Sequence, residues 1–80
     1  MKRSWVRSQS VRSVGYDADV ATLEIEFRTG VVYRYFMVPA RVYRQLREAP
    51  SVGTFVNKVI KPSFACERLD HDRASEERRT

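Results

Sequence analysis

The stretch TLEIEFRTGVVYRYF, residues 22–36, decides the fold. Its first six residues alternate without fault, with Leu23, Ile25 and Phe27 on one face and Thr22, Glu24 and Glu26 on the other. A period of two is the signature of a half-buried strand. A second β-rich run, VVYRYFMV at 31–38, follows the tripeptide RTG. A three-residue hairpin loop needs a left-handed residue at its end, and Gly30 takes that conformation without steric cost. In that register Phe27 opposes Val31, Ile25 opposes Tyr33 and Leu23 opposes Tyr35. Both tyrosines then share the buried aliphatic face. A two-residue Thr-Gly turn would slip the pairing by one and set them beside the glutamates. Thr29 is a poor residue for the positive φ such a turn demands, so the longer loop is favoured.

Outward from this hairpin, SVRSVGY (10–16) is β-branched and alternating, and DADVA (17–21) is a turn in which aspartate can bond its own backbone. Strands are predicted at 11–16, 22–27 and 31–37. After them Pro39 suits the first position of a helix. Val42, Tyr43, Leu46 and Ala49 then fall on one side, and Arg41, Arg44 and Arg47 on the other. Pro50 ends that helix, at 40–48. Ser51 caps a second at 52–60, where Val52, Phe55, Val56, Val59 and Ile60 repeat at helical spacing, and Pro62 stops it. The fold class is α+β: a three-stranded antiparallel meander followed by two short helices packed on one face. Residues 1–9 read as a basic flexible arm, 10–64 as the domain, and 65–80 as a charged disordered tail.

An 80-residue chain supports one domain with a modest core. Its 42% hydrophobic and 31% charged content is that of a soluble globular protein. No apolar run approaches the ~20 residues of a membrane span, and MKRSWVRSQS lacks the apolar centre of a secretory signal. A cytoplasmic protein without membrane contact is expected. The lone Cys66 fits a reducing compartment. Net charge is +5, and the last 16 residues hold four arginines against five carboxylates, so the excess lies in residues 1–64. A basic domain associates with polyanions through counterion release.

SVGYDADVATLEIEF, GVVYRYFMVP and SVGTFVNKVIKPSF, taken in order, resemble the KTSC domain, a family of stand-alone bacterial proteins also found at the C-terminus of some lysyl-tRNA synthetases. Tyr33 and Tyr35 match its central Tyr-x-Tyr, and Val38 and Pro39 the Val-Pro that follows. Gly15, Tyr16 and Asp17 match the early Gly-Tyr-Asp, while Gly53, Phe55, Asn57, Lys58 and Ile60 match the late motif. The resemblance spans about residues 10–64. It implies RNA binding and brings no catalytic residue.

Function therefore rests on a few surfaces. Tyr33 and Tyr35 could stack bases, but the register favours them as core. The outer sheet face would carry Glu24, Glu26, Arg34, Val32 and Phe36, its carboxylates repelling phosphate and its apolar pair suited to a protein contact. The better polyanion surface is the helix stripe Arg41, Arg44 and Arg47, with Glu48 placed to pair Arg44. Lys58 and the arm residues Lys2, Arg3, Arg7 and Arg12 would add to it, while Asn57 reads as a structural hydrogen-bonding residue. Cys66, Asp70, His71 and Asp72 do not make a zinc set, and no phosphate loop or paired catalytic carboxylate is present. The expectation is a binding module with no enzyme activity, cofactor, metal or small-molecule substrate. Its partner is nucleic acid, RNA ahead of DNA; the alternative is protein contact or dimerisation through a sheet edge or the outer face.

Overall fold

Five strands, not the three of the sequence pattern, make one antiparallel sheet with each strand beside its neighbour in sequence. A computed structural model describes residues 3–69. The strands are β1 (Arg3–Trp5), β2 (Val11–Asp17), β3 (Thr22–Phe27), β4 (Val32–Tyr35) and β5 (Cys66–Leu69). Between β4 and β5 come α1 (Ala40–Glu48) and a continuous helical run, 52–63. That run consists of α2 (Val52–Phe55), a π-helical turn (Val56–Ile60) and α3 (Lys61–Ser63). No helix among the described residues is long and apolar enough to cross a membrane.

The two extra strands fall in the segments read as arm and tail. A three-strand meander leaves an open row of N–H and C=O groups on each edge, and any extended neighbouring segment can satisfy them. Residues 3–5 do so on β2 and residues 66–69 on β4. Arg3 is accordingly part of the sheet and not of a free arm.

The central hairpin forms as the glycine dictates. Gly30 has φ 95°, its N–H donates to the Phe27 carbonyl at 2.9 Å, and Phe27 N–H donates to Val31 at 2.9 Å. Ile25 pairs with Tyr33 and Leu23 with Tyr35. β4 stops two residues short of its predicted end because Met37 turns left-handed, at φ 60°. In the preceding turn Asp19 N–H donates to the Asp17 carboxylate at 3.0 Å.

The helices cover the face that carries these pairs. Val42 and Leu46 of α1 join Val52, Val56 and Ile60 and the strand residues Val11, Val14, Leu23, Ile25 and Tyr35 in one buried cluster. Tyr16 stacks on Tyr43 with ring centroids 4.7 Å apart, and its hydroxyl donates to the Val38 carbonyl. Pro39 sits one residue earlier than predicted, at the cap, its carbonyl accepting from Val42 N–H. Ser51 caps α2 as expected, accepting from Thr54 N–H at 3.3 Å. Pro62 does not stop the helix. In the π turn Lys61 N–H reaches back to Val56, and the widened turn relaxes the clash a proline ring makes with the carbonyl four residues before it.

Candidate nucleic-acid interface

Whether a surface can hold a polyanion depends on which of its cations are already neutralised, and the fold divides them sharply. On the sheet face away from the helices, one cross-strand row runs Arg3, Gly15, Glu24, Arg34, Glu67. Arg3 and Arg34 both donate to the Glu24 carboxylate, Arg34 at 3.0 Å. Glu24 is only 8% exposed. Burial pushes its carboxyl up, but the Arg34 hydrogen bond and the Arg3 guanidinium outweigh burial and hold it below its ordinary 4.5. Beside it Glu26 accepts from Ser13 at 2.8 Å and lies 3.9 Å from Arg12. Arg3 and Arg12, read from sequence as mobile nucleic-acid contacts, are thus committed to glutamates. The expected apolar pair is also altered, since Val32 is 4% exposed and the large exposed side chain on that face is Trp5, at 72%.

On the helix side the cations are mostly unspent. Arg41 and Arg44 are exposed, and their side chains have no ion pair or hydrogen bond among the described residues; the Arg44–Glu48 pair allowed by their spacing does not form. Arg47 differs. It donates to Ser4 Oγ at 3.0 Å and Tyr43 Oη at 2.9 Å and lies over the Tyr43 ring, tying α1 to β1. Lys58 is exposed and unpaired among the described residues. Lys2 lies outside them.

Arg7 and Asn57 come together at a polar cleft of about 610 Å³, between residues 7–10 and the start of α2. Gly53 builds its wall, for a Cβ there would stand 2.5 Å from Ser10 Oγ. Asn57 is exposed and its side chain makes no hydrogen bond among the described residues, so its predicted structural bond is absent.

The opening tyrosines separate. Tyr35 is 2% exposed, and burial, with Cys66 and Tyr33 nearby, pushes its hydroxyl up to about 12. Tyr33 is only half-buried. Its ring lines two adjoining hollows of about 440 and 310 Å³, which share Lys61. Phe27 completes the first, with the Lys61 ammonium 5.4 Å from its ring centroid. Sequence reasoning passed over Lys61 because Pro62 places it beyond a helix end, and no local pattern marked it. Cys66 is exposed, and Asp70, His71 and Asp72 lie outside the described residues. No group of three or more His, Cys, Asp or Glu suited to a metal occurs among the described residues.

Comparison with known proteins is consistent across sequence and structure. The KTSC domain family profile matches residues 7–64. A protein of Stutzerimonas stutzeri is 48% identical over 62 residues, covering 78% of this chain and 87% of its own length. A lysine–tRNA ligase of Nostoc punctiforme is 44% identical over 59 residues, which span 74% of this chain and 10% of the ligase. Among solved structures, the crystal structure of a KTSC domain protein from Yersinia pestis superposes with a TM-score of 0.83 at 39% identity, covering 86% of this chain and 97% of that one.

Proposed function

The chain belongs to the KTSC domain family, and from that premise we propose that it is a non-catalytic module of the cytoplasm that binds nucleic acid, RNA ahead of DNA, through its helix side. The observation that carries the reading is the division of the cations. Glutamates neutralise those on the outer sheet face, while Arg41, Arg44, Arg7 and Lys58 project without partners among the described residues. Arginine presents a planar fork of donors to phosphate, and two on one helix face track a backbone without reading bases. Relatives that are lysine–tRNA ligases favour RNA over DNA as the polyanion.

Fluorescence anisotropy with labelled RNA over a salt series tests this. Affinity should fall steeply with salt, and Arg41→Ala with Arg44→Ala should weaken binding alike for all sequences. The slope against log salt should flatten by about 0.7 for each single-strand phosphate that is no longer neutralised. A double variant that binds as well as its parent at low salt would remove the helix side from the reading. The exposed Trp5 and the outer edge of β5, unpaired by any other strand among the described residues, favour a second reading, contact with protein or a second copy, which sedimentation equilibrium would reveal as concentration-dependent mass.

A further inference from the structure

The groove between α3 and the strands β3 and β4 has a chemistry unlike the arginine stripe of α1. Its floor is aromatic: Phe27 and Tyr33 meet edge to face with centroids 6.0 Å apart, and Tyr35 lies 6.4 Å beyond. Among the described residues its charged lining is cationic, made of Arg28 and Lys61. Arg28 is held in place by donating from Nε to the Ser8 carbonyl at 3.0 Å. Arg68 pairs with Tyr33 in register and so faces the same way. The nearby carboxylates Glu24, Glu26 and Glu67 occupy the opposite sheet face, as strand alternation requires.

Aromatic rings flanked by cations, with no carboxylate in the lining among the described residues, suit a planar group joined to an anion. The adjoining hollows, about 440 and 310 Å³, fall in the range of small-ligand sites. Resting on the RNA reading, we propose that this groove receives an unpaired base of single-stranded RNA, stacked on the Tyr33 ring with Phe27, whose plane is turned 80° to it, closing one edge, and with its flanking phosphates against Lys61 and Arg28. The helix-side arginines bind any RNA backbone; the groove adds a preference for strand state, because a duplex can offer a base only by unpairing it. Tyr33 thus serves both readings of the opening hairpin, one edge in the core and one open to a ligand.

The test compares labelled single-stranded octa-uridylate with an RNA duplex of equal charge, on the parent, Tyr33→Leu, Lys61→Ala and the Arg41/Arg44 double alanine variant. Tyr33→Leu keeps apolar bulk and removes the stacking face. It should lower single-strand affinity about tenfold, as for one base left unstacked, and leave duplex binding unchanged. In the parent, the Phe27 and Tyr33 ring protons should shift on titration with octa-uridylate, a readout independent of any variant's folding. Unmoved rings overturn the groove. If the Arg41/Arg44 variant still weakens binding in that case, the RNA reading stands without it. A parent that binds neither RNA overturns both. Ring shifts that follow protein concentration alone would identify the occupant as a second copy and overturn the proposal.

Discussion

Glu24 is a carboxylate drawn into a sheet face and held there by two guanidiniums from strands on either side of it. Its folded-state pKa lies below the ordinary 4.5, so the unfolded chain takes up the proton first. The stability it contributes is therefore complete above pH 4.5 and is lost as pH falls through the lower, folded value. Melting temperature should decline below about pH 4.5, and Glu24→Gln should remove much of that decline. The same variant should be less stable at neutral pH by about 2 kcal/mol, and so melt lower, since hydrogen bonds to a charged group are removed. Thermal melts of both proteins from pH 3 to 7 check this; identical curves would show that the arginines do not depend on the carboxylate. From sequence, Glu24 reads as a solvated strand residue, because alternation shows which face it occupies and not what crosses that face. Arg3, which covers it, is twenty-one residues away in the chain.

At the scale of elements, β5 decides what happens at the β4 edge. It contributes pairing along Val32–Tyr35 and sets Cys66 beside Tyr35, and Phe36 N–H extends the ladder to the Ala65 carbonyl at 3.0 Å. A chain ending at Phe64 keeps both helices and the central strands but bares that edge. It should melt several degrees below a chain ending at Leu69, at about 4–8 °C per kcal/mol for a domain this small, and aggregate more readily. Scanning calorimetry of the two truncations decides; coincident melts would show that β5 adds nothing. The sequence made the central hairpin legible to its register, because TLEIEF leaves no ambiguity of face and Gly30 selects the turn. It also showed α1 and its arginine stripe through the helical period. The edge strands stayed hidden because main-chain pairing at an open edge requires no side-chain pattern, and CERL, half of it charged, has none. The π turn stayed hidden because Val52, Val56 and Ile60 fit an ordinary helix equally well. The groove went unseen for a related reason: it is assembled from β3, β4 and a lysine beyond the predicted helix end.

Among the described residues the molecule is a sheet with two unlike sides, one neutralised by its own ion pairs and one covered by helices whose exposed cations are mostly unpaired. Its strand order, each beside its sequence neighbour, also has a kinetic meaning. β2, β3 and β4 are joined by short turns at 18–21 and 28–31, so little chain entropy opposes their meeting. β5 pairs with β4 only after residues 36–65 have been drawn into helices and folded back. The hairpins can thus serve as the nucleus, with the last strand docking after the rate-limiting barrier. Leu69→Ala should then hasten unfolding with little change in the folding rate, while Ile25→Ala slows folding, a contrast that the two limbs of a stopped-flow chevron would resolve. An edge that closes last is also the first to reopen. The flank of Tyr33 bordered by β5 would then be uncovered by brief local fraying, so a ligand could reach it without the domain coming apart.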